Sequence, residues 1–306
     1  MTTVNLQMDP AQEGITGFVA LLGRPNTGKS TLLNTLLGCH LAAVSNKPQT
    51  TRKYMLGIFN DKNSQIMFLD SPGVHAGNIA IDEAMAKSVE RVMEDADVVV
   101  CMIDPTREPG AEDGMVAQLA SKSKKPILLL FNKADLTTPE QQAISSRFYR
   151  KYLPDAPDIT LIAHNEASAA SLIVRLKKML PHGIFLYDRD EVTNIYERDI
   201  AAELIREVLL LELEQEIPHC IAVTIDRWKE LKTKEIMVEA TLNLEREAHK
   251  GIVIGKGGRM IKRLRKMATA KLIELCQCKV TLELFIKIVP NWRKKKQFLK
   301  EIKLLD

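Results

Sequence analysis

The sequence has no paired-cysteine motif. Its five cysteines are Cys39, Cys101, Cys220, Cys276 and Cys278. None forms C-x-x-C, and Cys276 and Cys278 have no second pair to complete a zinc site. This usage argues against a disulfide framework and points to reduced thiols in a cytoplasmic chain. Long apolar runs are missing too: "VVVCMI" and "ILLLF" fall far short of the ~20 residues that cross a bilayer. The opening "MTTVNLQMDPAQEG" has no basic region followed by an apolar stretch, so it does not read as a signal peptide. No internal repeat or low-complexity tract stands out.

What is present fits a globular chain of two domains: 306 residues, 45% apolar and 27% charged. The net charge of +4 hides an asymmetry. Residues 250–306 carry 16 Lys/Arg against 4 Asp/Glu, while the rest carries 27 against 35. An acidic body therefore ends in a basic segment, which on charge alone is either a polyanion-binding surface or a solvated tail.

Up to about residue 180, short apolar strand patterns alternate with amphipathic helical ones, starting with "GFVALLG" and "KSTLLNTLLG". This predicts an α/β domain with a mostly parallel sheet and helices on both faces. "LPHGIFLYDRD" breaks the alternation and reads as a linker. Beyond it the patterns predict a small α-β-β-α-α-β domain with a glycine turn between two helices. The expected boundaries are a tail over 1–15, a first domain over 16–182, a linker over 183–196 and a second domain over 197–306.

Chemistry enters with "GRPNTGKST", which fits G-x-x-x-x-G-K-[ST] between a predicted strand and a predicted helix. Gly23, Arg24, Pro25, Asn26, Thr27, Gly28, Lys29, Ser30 and Thr31 are expected to wrap phosphates at the positive end of that helix. Lys29 would reach the β- and γ-phosphates, and Ser30 would ligate Mg²⁺. "NKAD" follows the strand "ILLLF", at the sheet edge where ligands bind. The Asp135 carboxylate can accept two N–H bonds from guanine, whereas adenine lacks the N2 amine and opposes it with an acceptor at N1. Asn132 would hold the loop and Lys133 would lie along the base. In "DSPG", Asp70 would hold Mg²⁺ through water, Ser71 and Pro72 would shape the turn, and the Gly73 N–H would meet the γ-phosphate. "SNKPQTTRK" between them offers two threonines, of which Thr51 is favoured over Thr50 as a Mg²⁺ ligand in the triphosphate state. Lys29, Thr51 and Gly73 are thus the expected catalytic contacts of a GTP switch.

These segments and the later "IVIGKGG" occur in the order and spacing of the Era family of bacterial ribosome-assembly GTPases. The chain resembles that family from Thr16 to Lys294. The resemblance implies a Ras-like P-loop GTPase domain followed by a small α+β KH domain. It also implies GTP and GDP as ligands, small-subunit ribosomal RNA near its 3′ end as partner, and a role in maturing the small ribosomal subunit. Peripheral association with the inner membrane is a further family trait, and a monomer is expected.

The chain departs from the family pattern in several places. Ser71 stands where the family has Thr. Ala163 and His164 stand where the fifth guanine-binding motif has Ser-Ala, which predicts a looser loop with the His164 N–H toward guanine O6. The helix after "DSPG" lacks the family's Lys-Pro lead-in, which predicts a different second switch.

Val74 occupies the place of the Ras-type glutamine that positions water; as an apolar residue it is expected to pack. Turnover on the order of 10⁻³ s⁻¹ or slower is expected without help from a partner, RNA or K⁺, with Asn26 as the candidate K⁺ ligand.

In the basic domain Gly255, Lys256, Gly257 and Gly258 precede a helix carrying Arg259, Lys262 and Arg263. A KH G-x-x-G loop clamps four single-stranded nucleotides by backbone approach, and the cations would pair with phosphate. Trp292 reads either as a base-stacking residue or as an anchor for the last strand. His75, His182, His219 and His249 lack partners at metal or triad spacing and read as surface or packing residues. Two other readings are an RNA chaperone with vestigial hydrolysis and a GTPase of transfer-RNA modification. The latter usually carries a catalytic cysteine tail or extra domains, which this sequence does not show.

Overall fold

The computed structural model describes residues 12–47, 49–75, 77, 79–232 and 234–305. Most of the expected tail and Pro48 of the switch loop lie outside these. Strand β1 (Glu13–Leu22) is followed by α1 (Lys29–Leu37), β2 (Met55–Asp61), β3 (Ser64–Asp70), α2 (Ala80–Asp95) and β4 (Val98–Ile103). Next come α3 (Ala111–Lys122), β5 (Ile127–Phe131), α4 (Pro139–Arg150), β6 (Asp158–Thr160), α5 (Glu166–Lys177) and β7 (His182–Ile184). The sheet order is β2-β3-β1-β4-β5-β6; β2 runs antiparallel to β3, and the other neighbours in that order are parallel.

Both faces of this sheet are covered, which is why its strands are continuous apolar runs. Along β1 the side chains alternate between faces. Val19 and Leu21 pack with Leu32, Leu33, Leu172 and Leu176 from α1 and α5. Ala20 and Leu22 pack with Val89, Val116 and Tyr149 from α2, α3 and α4.

The second domain comprises α6 (Glu197–Glu212), β8 (Ile221–Glu230), β9 (Ile236–Leu244), α7 (Glu247–Ile254), α8 (Arg259–Cys276), β10 (Val280–Ile288) and α9 (Lys296–Glu301). Its sheet is ordered β10-β9-β8, with β8 antiparallel and β10 parallel to β9. Val238, Ala240 and Leu242 of β9 face Ile205, Leu209, Leu264 and Leu272 from α6 and α8.

Several expectations shift. The first strand starts at Glu13 rather than near residue 16, because Glu13, Gly14 and Ile15 pair antiparallel with Ile184, Gly183 and His182. The segment expected as pure linker therefore opens with β7. It then runs along the same sheet: Gln65 Oε1 accepts from the Leu186 and Tyr187 N–H groups, and Ile58 N–H donates to Val192 O at 2.8 Å. The strand expected over "DITLIA" closes after Thr160, and α9 was not expected in the basic tail.

The two domains meet through α6, whose Ile200 and Leu204 join the first domain's core, and through a small apolar cluster. Ile81 and Met85 of α2 pack with Ala222 of β8, Trp292 and Leu299. No helix among the described residues is long and apolar enough to cross a membrane.

Candidate functional site

β1 is flanked by β3 and β4, so the chain after Leu22 emerges at the sheet edge beside Asp70 and the start of the second switch. The phosphate loop turns there. Gly28, at φ 97°, caps α1, and a Cβ on it would collide with Asn132 Nδ2. The loop also leaves no room at Gly73, where a Cβ would lie 2.6 Å from Pro25 N. Val74 N–H donates to Gly23 O at 3.0 Å, tying the second switch to the phosphate loop.

Arg24 turns its side chain away from the cleft. Its Nε donates to Asp113 Oδ1 at 3.3 Å and its Nη2 to Asp104 O at 3.0 Å. Tyr149 OH donates to the same Asp113 oxygen at 2.7 Å. Thr27 is likewise buried, its hydroxyl donating to Arg24 O at 3.1 Å. These contacts hold the loop from behind. The cleft in front, about 360 Å³, is lined by Pro25, Asn26, Gly28, Lys29, Ser30, Thr31, Gln49, Thr51, Gly73 and Lys133, among others.

Three oxygen-bearing side chains converge at one end. Ser30 Oγ donates to Asp70 Oδ2 at 2.6 Å and lies 2.9 Å from Thr51 Oγ1, which makes Thr51 the donor to Ser30. Asp70 is fully buried, and its Oδ1 has no hydrogen-bond partner among the described residues. Burial pushes its carboxyl up to about 6, against the pull of Lys29, Ser30 and Thr51. Burial also pushes the Lys29 ammonium down to about 8, with Asp70 opposing and Arg24 reinforcing the shift. Lys29 Nζ donates to Gly23 O at 3.2 Å and Arg24 O at 3.0 Å. An orphaned carboxylate oxygen beside two hydroxyls suits a hard dication, and a desolvated ammonium suits phosphate. The residues therefore fit Mg²⁺ together with a phosphate chain.

The end of the cleft expected to meet the base is organised by Asn132. Its Nδ2 donates to Thr27 O at 2.7 Å, and its Oδ1 accepts from Ala163 N–H at 2.8 Å. One buried amide thus joins the phosphate loop to the fifth-motif loop. The serine expected at Ala163 is not needed for that tie, and Asn165 caps α5 just beyond by accepting from Ser168 N–H at 2.9 Å. Lys133, at φ 59°, places Nζ 2.7 Å from Asp104 Oδ2. Burial raises the Asp104 carboxyl, but Lys133 and Thr106 outweigh it and hold it below the usual range. Asp135 and His164 are exposed and do not line the cleft. Ser71 Oγ donates to Leu21 O at 2.8 Å, so it fixes the β1–β3 edge. Val74 packs against the core beneath α2, as its apolar character predicted.

In the second domain Gly255, Gly257 and Gly258 have φ of 70°, 62° and 75°, backbone that favours glycine. Lys256, Arg259 and Lys262 are exposed around them, and Arg263 is paired with Glu212 at 2.6 Å. Leu264, Ala268 and Leu272 turn the other face of α8 into the core. Trp292 is fully buried and donates Nε1–H to Cys220 O at 2.9 Å, which selects the anchoring reading over base stacking.

Sequence reading missed the ties from the first switch to the second domain. Lys47 Nζ donates to Leu213 O and Arg206 Nη2 to Thr50 O. Arg52 donates to His219 O at 2.8 Å and to Ile221 O at 3.0 Å. It also missed a bridge between the switches: His75 lies 3.1 Å from Gln49 Nε2 and 3.3 Å from Asp82 Oδ1, so it is not a lone surface histidine.

Residues 18–133 match the family model for a 50S ribosome-binding GTPase, and residues 216–293 match that for a KH domain. GTPase Era of Lactobacillus helveticus is 37% identical over 286 residues, 94% of this chain and 95% of that protein. GTPase Era of Caldicellulosiruptor saccharolyticus is 38% identical over 279 residues, 90% of this chain and 93% of that protein. A crystal structure of a variant Aquifex aeolicus Era bound to GDP·AlF4⁻ superposes with a TM-score of 0.90 at 31% identity, covering 95% of this chain and all of that one. Era in complex with MgGDPNP and nucleotides 1506–1542 of 16S ribosomal RNA superposes with a TM-score of 0.91 at 31% identity, covering 96% and 100%. With its phosphate loop, its guanine-type Asn-Lys-x-Asp segment and its G-x-x-G domain in one arrangement over nearly the whole length, the chain belongs to the Era family of GTPases.

Proposed function

We propose that the protein binds GTP with Mg²⁺, hydrolyses it to GDP and phosphate, and uses the nucleotide state to set its grip on small-subunit ribosomal RNA during subunit assembly in the cytoplasm. One observation carries this reading. Thr51 touches Ser30 in the nucleotide cleft, while its neighbours Thr50 and Arg52 are held by Arg206, His219 and Ile221 of the KH domain.

Ser30, Thr51 and Asp70 would hold the magnesium ion, which would supply positive charge to the phosphate chain. Lys29 and the Gly73 N–H would stabilise charge on the γ-phosphate. Asp135 would select guanine, and Asn132 would keep the two loops in register around it. The domain limits that suit this reading are residues 13–184 and 197–305, joined by 185–196.

The first switch then reports the γ-phosphate to the KH domain. The RNA would lie along Gly255 to Gly258, with Lys256, Arg259 and Lys262 on its phosphates. Asn26 is the proposed K⁺ ligand: it sits at φ 64° beside the cleft with Nδ2 on Asn46 O at 2.8 Å, leaving Oδ1 as its cation-facing atom. Faster hydrolysis in KCl than in NaCl tests that part.

The main test is binding of a 3′-terminal 16S fragment by the full chain loaded with GDP or with a non-hydrolysable GTP analogue. The expected result is a clear difference in affinity between the two states, lost in a Lys256→Glu/Arg259→Glu variant that still binds GTP. Equal RNA affinity in both states would overturn the switch. A single-turnover assay showing bound GTP but no hydrolysis would favour a non-catalytic RNA chaperone.

A further inference from the structure

Val74 cannot orient water, and its side chain is committed to the core beneath α2. Yet the cleft contains a glutamine. Gln49 lies two residues before Thr51 and lines the same cavity as Lys29, Thr51 and Gly73, the groups expected around a γ-phosphate. Its backbone is left-handed, at φ 56°, an unfavourable conformation for a residue with a side chain. Such strain persists where the surroundings hold it, and here a side-chain contact accompanies it.

Gln49 Nε2 lies 3.1 Å from His75 Nε2, and His75 Nδ1 lies 3.0 Å from Gly73 O. A carbonyl only accepts, so Nδ1 carries the proton. Nε2 faces both the Gln49 amide nitrogen, at 3.1 Å, and the Asp82 carboxylate, with Oδ1 at 3.3 Å. With its nitrogen toward His75, the amide has its carbonyl Oε1 as the end left to accept from another donor. Asp82 secures the arrangement from α2. Its Oδ2 accepts from Ile79 N–H at 3.2 Å, which holds the carboxylate beside the ring.

We propose that Gln49, presented by His75, orients the water that attacks the γ-phosphate, a task the residue at position 74 has given up. This rests on the reading of the cleft as a GTP-hydrolysing site. Oε1 accepts one hydrogen of the water and aims its oxygen at phosphorus. The oxygen–phosphorus bond forms as the bond from phosphorus to the β–γ bridging oxygen breaks, and that electron pair leaves with GDP. The water proton goes to the γ-phosphoryl oxygens, giving inorganic phosphate. The amide takes no proton; it supplies orientation alone. Gln49 is thus a catalytic residue in contact with the reacting water, and His75 is a positioning residue that acts through it.

The test uses the full chain and its Gln49→Ala, His75→Ala and double variants. Three quantities are read: single-turnover GTP hydrolysis, affinity for fluorescent GDP and GTP analogues, and trapping of GDP with aluminium fluoride, which mimics the transition state. Gln49→Ala should hydrolyse at least ~10-fold more slowly and fail to trap aluminium fluoride, with nucleotide affinities within ~3-fold of the parent. His75→Ala should be impaired as well, and the double variant should be no slower than Gln49→Ala, as for two residues acting as one unit. Retained nucleotide affinity certifies that the variants fold. A parental rate in Gln49→Ala, or a rate loss matched by an equal loss of GTP affinity, overturns the proposal while leaving hydrolysis at this site intact. An additive loss in the double variant overturns the part assigned to His75. A parent protein that binds GTP but never hydrolyses it overturns both this proposal and the enzymatic reading beneath it.

Discussion

The Arg52 guanidinium lies over the Trp292 ring, 5.4 Å from its centroid. Arg52 belongs to the first switch and Trp292 to the C-terminal domain, and both are buried. The same guanidinium donates to the carbonyls of His219 and Ile221, so the residue after Thr51 is part of the KH domain's packing. Arg52→Ala leaves both carbonyls without that partner and removes the ring contact. It should bring the ratio of RNA affinities in the two nucleotide states toward about 1, the value for uncoupled sites. GTP affinity should change little. Paired RNA titrations with each nucleotide measure this directly.

Asn132→Ala tests the hub of the nucleotide cleft. The substitution removes the partners of Thr27 O and Ala163 N–H in a fully enclosed place. Leaving two buried backbone groups unpaired costs about 2–6 kcal/mol. Nucleotide affinity should fall at least ~10-fold, because the phosphate loop and the fifth-motif loop lose their common tie. Fluorescent GDP titration checks the loss, and circular dichroism should show the fold retained.

Trp292 should matter to stability more than to RNA contact. It is fully buried, donates to Cys220 O, and sits in the cluster that joins α2 to the C-terminal segment. Trp292→Ala should destabilise by about 3–5 kcal/mol, as truncation of a large core aromatic does. Trp292→Phe should recover much of that while still losing the bond to Cys220 O. Urea melts of the three proteins would rank them; an unchanged midpoint for the alanine variant would contradict the burial.

Glu207 gives the domain contact a pH dependence. It is buried on α6 and lies 3.0 Å from His40 Nε2 of the GTPase domain and 3.1 Å from Lys271 Nζ of α8. Burial raises its carboxyl, but His40 and Lys271 outweigh that and hold it below the usual range. A carboxylate with a depressed folded value contributes stability that is present above about pH 4.5 and is lost as pH falls through the folded value. Glu207→Gln should therefore melt at a lower temperature than the parent near neutral pH, with the gap closing below about pH 4.5. Parallel slopes through that window would show that Glu207 is not the group responsible.

The cleft was legible in the sequence because its lining comes in short contiguous segments at strand ends. Lys29, Ser30, Asp70 and Asn132 announce themselves by spacing, and the structure brings Ser30, Thr51 and Asp70 to within one hydrogen bond of each other. Val74 was read correctly because apolar bulk in a switch has few uses besides packing, whereas Trp292 fitted both stacking and anchoring until its burial was seen. The ties of Arg52, Lys47 and Arg206 were not legible. Their partners are carbonyl oxygens more than 150 residues away, and any residue can supply a carbonyl. His75 was passed over for a similar reason: its partners, an amide in one switch and a carboxylate in a helix start, share no motif. Strand β7 was not legible because three residues are too few to show alternation, and only pairing with β1 makes them a strand.

The connector between the domains is a strap rather than a free tether. Its bonds to Gln65, Leu56 and Ile58 continue as far as Thr193, so only residues 194–196 span to α6 unattached to the sheet. At about 3.5 Å per residue, three residues give roughly 10 Å of reach. Ile200 and Leu204 of α6 also sit in the first domain's core, so the second half cannot swing on that short stalk until this contact opens and the strap peels off the edge of the sheet.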